Sequence, residues 1–230
     1  MGAGQGSERG GEGVGSAEGK MLEQPGKWVG LLEKEGIRFS EGMGESLLRF
    51  TDLVRRANRV CSLVSRGDLG ELEEKHVVDS ISLASIIARA CGASGVLLDI
   101  GSGGGFPAIP VKVVLPTLRV VLVERSERKA GFLQRVVRSL GLEQVEVRCG
   151  RFPEAAKGLS PRVITARAVE QPAKVLRDIL VVLPPGSVFL CQSSVSELIA
   201  PDLFHVERVR DAWSESGLRR GPLYLVRRLG

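Results

Sequence analysis

An apolar run, Leu97-Leu98-Asp99-Ile100, passes directly into Gly101-Ser102-Gly103-Gly104-Gly105 and then Phe106-Pro107. No other stretch constrains the fold as much. The run Val96 to Ile100 has the texture of a strand buried on both faces. The glycines allow a tight turn, and Pro107 and Pro110 suit the loop and first helical turn, where amides lack intrahelical acceptors. Strand, glycine turn and helix form the opening unit of a doubly wound sheet, whose ligands lie at the carboxyl ends of the strands.

The rest of the chain supports that reading. Leu118 to Glu124 repeats the buried-strand texture, and Ser126 can cap a helix that Gly141 ends. Further strands are expected at Val145–Val147, Arg162–Ala166, Ser187–Cys191, Phe204–Val209 and Leu223–Val226, with a helix over Val169–Leu183. Alternating strands and helices imply an α/β fold with a mostly parallel sheet. Ahead of it, Leu47, Phe50, Leu53 and Val54 share one helical face, and a second helix is expected over Glu71–Cys91. The expected organisation is a disordered tail over 1–22, a helical subdomain over 23–92 and the sheet domain over 93–230. The tail is rich in Gly, Ser and Glu and has too little apolar surface to offset its ordering entropy. Trp28 and Trp213 are expected to pack, and Arg219, Arg220, Arg227 and Arg228 to lie on the surface.

Composition narrows the function classes. No apolar run approaches the ~20 residues of a bilayer span, so no membrane partner is expected. Four scattered cysteines without a Cys-x-x-Cys pair, and only two histidines, offer no clustered metal ligands; no metal is expected. That cysteine usage, without a leader-like apolar segment, points to the cytoplasm. A net charge of +5 permits an anionic partner, whereas 4% aromatics disfavour a base-stacking platform. The oligomeric state is not legible, a monomer being the favoured reading.

The glycine turn selects among nucleotides. A dinucleotide loop wants glycine where Phe106 stands, and no Gly-Lys-Ser or Gly-Lys-Thr ends a phosphate loop here. What remains is Asp99-x-Gly101-x-Gly103-x-Gly105, with a carboxylate two residues before the first glycine. That pattern resembles the first motif of S-adenosylmethionine-dependent methyltransferases, whose cofactor has no phosphate and carries an ammonium that a carboxylate attracts. Glu124, 23 residues beyond Gly101, ends the second strand where it can accept from a ribose.

With the flanking residues the resemblance narrows. His76-Val77-Val78-Asp79-Ser80, the glycine turn through Pro110, Arg128-Lys129-Ala130-Gly131-Phe132-Leu133, Arg151 and Ala166-Arg167-Ala168 occur in order. Together, from about residue 45 to 195, they resemble the GidB/RsmG family of bacterial 16S ribosomal RNA guanine-N7 methyltransferases. The resemblance implies a Rossmann-like class I methyltransferase fold and S-adenosyl-L-methionine as cofactor. The implied substrate is 16S ribosomal RNA, naked or in the small-subunit particle. It also implies that Gly101 and Phe106 line the cofactor pocket and that the Phe152-Pro153 backbone meets the adenine, with Arg167 nearby. Three positions depart from the family: Ser62-Leu63-Val64-Ser65 stands for Asn-Leu-Thr-Ser, Ala108 for a glycine, and Cys191-Gln192-Ser193 for Leu-Lys-Gly. The last removes a lysine from the RNA or active-site electrostatics.

The expected catalytic residues are Arg151, Arg167 and His76. The cofactor set is Asp99, Gly101, Gly103, Gly105, Phe106, Glu124, Phe152, Pro153 and Arg167. Asp79 and Ser80 read as local caps or links between helices. Arg128, Lys129 and Arg135 form either a solvated face or a phosphate-binding stripe. Guanine N7 carries an in-plane lone pair and no proton, so transfer to it needs positioning and no general base. Arg151 or Arg167 can read guanine O6 while N7 stays free. Two other readings stay open: methylation of a small molecule or protein, for which the basic helix is unnecessary, and a non-catalytic cofactor- or RNA-binding module.

Overall fold

The computed structural model describes residues 26–167, 172–192 and 202–229. The expected tail over 1–22, the expected start of a helix at Val169, Ala168 and Ser193 lie outside them. The strands are β1 (Val96–Ile100), β2 (Arg119–Glu124), β3 (Val145–Cys149), β4 (Val163–Ala166), β5 (Val188–Cys191), β6 (Phe204–Val209) and β7 (Leu223–Arg228). They form one sheet in the order β3-β2-β1-β4-β5-β7-β6. β1 to β5 run parallel, and β7 runs antiparallel to both β5 and β6. The chain steps outward from β1 to β3 and then returns to the far side of β1. That reversal opens a crevice at the carboxyl ends of β1 and β4.

Strand side chains alternate between two faces, as the pleat requires. Leu97, Val120, Leu122 and Val163 face one apolar cluster; Leu98, Val121, Val123 and Ile164 face the other. The second is covered by Leu176, Ile179 and Leu180 of α7 (Pro172–Val182). The helices are otherwise α1 (Lys27–Lys34), α2 (Glu41–Asn58), α3 (Asp79–Ile81), α4 (Ala84–Cys91), α5 (Ala108–Val114), α6 (Glu127–Ser139) and α8 (Ala212–Glu215). Trp28 of α1, Leu47 and Phe50 of α2 and Ile87 of α4 belong to the same apolar cluster as Leu97 and Val120. The apolar contacts therefore continue across residues 92–93. Ser126 caps α6 by accepting from the Lys129 amide, and Gly141 follows it with φ +61°. None of the described helices is long and apolar enough to cross a membrane.

Two expectations are corrected. The helix expected over Glu71–Cys91 is broken into a 3-10 turn (Arg66–Glu71), a π-helical stretch (Glu73–Val78), α3 and α4. The Ser80 hydroxyl donates to the His76 carbonyl and the Ser82 hydroxyl to the Asp79 carbonyl, local bonds that compete with a regular ladder. Arg219, expected on the surface, is 4% exposed. Its guanidinium makes a two-pronged pair with Asp211 at 2.7 and 2.8 Å and donates to the Ser82 carbonyl at 2.7 Å, which is how a buried arginine remains satisfied. Trp28 and Trp213 are both buried as expected, and the Trp213 indole donates to Glu35.

Candidate functional site

The glycine turn sits at the carboxyl end of β1. Gly101 and Ser102 donate their amides to the Val123 carbonyl of β2, and the Gly103 amide donates to Glu124 Oε2 at 2.9 Å. Gly103 (φ +50°) and Gly105 (φ +91°) are glycines for different reasons. A Cβ at Gly105 would lie 2.8 Å from Ile109 Cγ1 and 3.3 Å from Leu133 Cδ2, so the core itself needs that space. A Cβ at Gly103 would meet only the Gly101 carbonyl, at 3.6 Å, so its outer side is open. A Cβ at Gly104 would lie 3.4 Å from Leu63, so the departing Ser62–Ser65 stretch lies close to the turn.

Asp99 and Glu124 flank this turn. Asp99 is fully buried, and its Oδ1 accepts from the Thr165 hydroxyl of β4 at 2.7 Å. Its Oδ2 is buried without a hydrogen-bond partner. Burial pushes the carboxyl up to about 7, against the opposing hydrogen bond from Thr165. A ligand cation beside Oδ2 would supply the missing partner. Glu124, 5% exposed, accepts from Gly103 with one oxygen and from the Ser126 amide, at 2.8 Å, with the other. Each carboxylate oxygen retains a second lone pair, so ligand hydroxyls can still donate to it. The unpartnered Asp99 oxygen, the open side of Gly103 and the rim carboxylate of Glu124 fit S-adenosylmethionine: an ammonium at Asp99 and a ribose at Glu124.

A second group gathers beside Phe106. The Phe106 ring is 5.1 Å from the His76 ring and 5.0 Å from Phe50. Arg167, just beyond β4, donates to His76 Nδ1 at 3.1 Å and to the Lys75 carbonyl at 3.3 Å, and pairs with Asp79 Oδ2 at 2.9 Å. Arginine can only donate, so His76 Nδ1 accepts and the neutral ring carries its proton on Nε2, 3.5 Å from Asp68 Oδ2. Burial, and then the Arg167 charge, hold the His76 pKa below the usual 6.5. Asp79, read from the sequence as a local cap, instead makes long-range contacts. Besides Arg167, it accepts from Gln192 at 3.1 and 3.2 Å and from the Arg220 amide at 2.7 Å. Its three-residue spacing from His76 on a helical stretch was the available signal.

The remaining expected residues are more dispersed. Arg151 is exposed after β3, and strand order puts β2 and β1 between β3 and β4. Arg151 and Arg167 thus start from strands about 14 Å apart at ordinary strand spacing. Phe152 and Pro153 are half-buried and, with Leu98 and Ile164, line a cavity of 390 Å³. Arg128 and Arg135 are exposed on α6 and Lys129 is half-buried. Arg128 also donates to the Val60 carbonyl, and Arg135 lines a groove between α2 and α6 with Arg56 and Arg138. Among the described residues, no group of three or more His, Cys, Asp or Glu could hold a metal ion.

A family model named GidB, described as rRNA small subunit methyltransferase G, matches residues 43–197. The chain is 39% identical over 146 residues to the ribosomal RNA small subunit methyltransferase G of Frankia alni. That match covers 62% of this chain and 54% of the relative, so the chain spans about half of that protein's length. It is 30% identical over 182 residues to the protein of the same name from Leptothrix cholodnii, covering 76% of this chain and 83% of the relative. Among solved structures, a MtNAS mutant in complex with S-adenosylmethionine shares the fold with a TM-score of 0.55 at 18% identity, over 80% of this chain and 75% of that one.

Proposed function

Because the chain belongs to the GidB family of small-subunit ribosomal RNA methyltransferases, we propose that it methylates guanine N7 in 16S ribosomal RNA with S-adenosyl-L-methionine, acting on free RNA or on the small-subunit particle. The observation that carries the cofactor reading is the buried oxygen of Asp99 that has no hydrogen-bond partner, at the end of the strand that feeds the glycine turn. In this reading Asp99 holds the cofactor ammonium and Glu124 its ribose. Gly101, Gly103 and Gly105 let it approach the backbone, with Phe106 behind them and the Phe152-Pro153 backbone at the adenine. Bound there, S-adenosylmethionine supplies a sulfonium methyl to an in-line nucleophile.

The chain's own residues then act by positioning. Arg167 is 18% exposed at its side chain and is the arginine assigned to guanine O6, leaving N7 free. Arg151, exposed after β3, is the other candidate for that contact. His76 orients Arg167 through Nδ1 and has no free lone pair to act as a base. Incubating 16S RNA with labelled cofactor and mapping the modified base tests the proposal; label on no guanine, or on a protein or small molecule instead, refutes it.

The rate at saturating cofactor is expected to be nearly flat between about pH 6.5 and 9. His76 titrates below its ordinary value, so it is already neutral across this range, and N7 has no proton to lose. Rapid-quench single turnovers check this. A rate climbing with pH that flattens in His76→Ala would establish a base and remove the N7 assignment.

RNA affinity should fall with salt as phosphate contacts release counterions. Replacing Arg128, Lys129 and Arg135 together with Ala should reduce the slope of log K against log salt by about 2, at three contacts of ~0.7 each. Cofactor affinity should not change. A filter-binding slope identical to the parent's would make this helix a solvated face.

A further inference from the structure

Arg167 is placed almost entirely by groups outside its own strand. β4 has four residues, and the guanidinium beyond it is held by the Lys75 carbonyl, His76 and Asp79, all on one helical stretch of the N-terminal layer. Of these three, Asp79 alone carries a charge opposite to the arginine, and its side chain is only 1% exposed. The carboxylate is itself pinned from two further directions: by the Gln192 amide after β5 and by the Arg220 amide ahead of β7. Gln192 is neutral. It fixes the carboxylate without competing for its charge, and it meets the same Oδ2 that Arg167 meets.

We infer that Asp79, clamped by Gln192, is a positioning residue for methyl transfer, holding the Arg167 guanidinium in place through their 2.9 Å ion pair. This rests on the proposed methyltransferase activity. Asp79 itself touches neither cofactor nor base and acts through Arg167. A carboxylate locked by three partners loses little orientation when substrate arrives, so the arginine is pre-set before RNA binds.

The test uses the full chain as parent, Asp79→Asn, and the exchange Asp79→Asn/Gln192→Glu, which moves the carboxylate across the same contact. Two readouts are taken: modification of Arg167 by phenylglyoxal, followed by peptide mass spectrometry, and single-turnover methylation of 16S RNA at saturating cofactor. Asp79→Asn is expected to expose Arg167 to the reagent several-fold and to lower the rate by at least about tenfold, with cofactor affinity little changed. The exchange is expected to protect Arg167 again and to recover most of the rate. Unchanged protection of Arg167 in Asp79→Asn overturns the inference. So does an exchange that restores protection but no rate. If Asp79→Asn does not fold, Asp79→Glu displaces the carboxylate with its charge kept; a parental rate there overturns the inference, and a reduced rate with the fold intact supports it. A parent that transfers no methyl to RNA refutes the activity, while the phenylglyoxal comparison still decides whether Asp79 sets Arg167.

Discussion

Gly105→Ala is expected to melt well below the parent, whereas Gly103→Ala is expected to stay folded and lose its cofactor. Both positions have positive φ, at a cost of about 1–2 kcal/mol for any residue with a Cβ. At Gly105 the new methyl also arrives 2.8 Å from Ile109 and 3.4 Å from Phe50, inside the cluster that joins α2, α5 and α6. Overpacking adds about 1–3 kcal/mol. A chain of this size shifts by about 2–4 °C per kcal/mol, so a fall on the order of 10 °C is anticipated. At Gly103 there is no such clash, and the methyl projects into the space assigned to the cofactor. Calorimetric affinity for S-adenosylmethionine should fall by roughly tenfold or more, one order of magnitude being about 1.4 kcal/mol. Equal melting temperatures for the two variants would refute the division of roles. Parental affinity in Gly103→Ala would move the cofactor elsewhere.

Removing the Arg167 guanidinium should have the larger effect on rate. Arg167→Ala deletes the counter-charge of Asp79, which is left in the interior with only the Gln192 and Arg220 amides. Breaking a buried pair from one side costs about 3–5 kcal/mol, much of it the penalty on the surviving charge. Single-turnover methylation should fall by about a hundredfold or more, near 3 kcal/mol of barrier. Arg167→Lys separates charge from shape. An ammonium keeps the pair with Asp79 but cannot fork toward His76 and a base edge at once. It should regain stability, measured by urea unfolding, and little of the rate. A lysine variant at parental rate would show that a point charge is all the site requires.

What could be read from the sequence followed local chemistry. β1, the glycine turn and β2 were legible because a short, nearly continuous apolar run has few other foldings, and the first of the two passes straight into glycines. Ser126 and Gly141 marked the ends of α6 by capping rules that act within one turn. The stretch from Glu71 to Cys91 misled because its apolar spacing is helical throughout, and a change of hydrogen-bond register over Glu73–Val78 leaves that pattern unaltered. Asp79 and Arg219 were misread for one shared reason. Their partners lie 88 to 141 positions away or across a chain reversal, and a charge with a remote partner looks the same in sequence as a solvated one. The order in which β4 to β7 join the sheet has no local signal either.

In the proposed cofactor site, Asp99 is an acid as well as an anchor. Its carboxyl, pushed up to about 7 by burial, keeps its proton in the empty protein over much of the neutral-to-acid range. The folded value lies above the ordinary 3.8, so stability from this group is greatest below that lower value and is lost as pH rises through about 7. An arriving ammonium reverses the preference and expels the proton. If Asp99 holds the cofactor ammonium as proposed, cofactor capture is coupled to proton release, and affinity is expected to climb with pH between about 5 and 7, by at most tenfold per unit, and then level. Titrations in two buffers of different ionisation enthalpy would count the proton, and a heat independent of buffer would mean that Asp99 never gives it up. On that proposal, the acidity of the surroundings would set, through one side chain, how much of the protein is loaded before its substrate arrives.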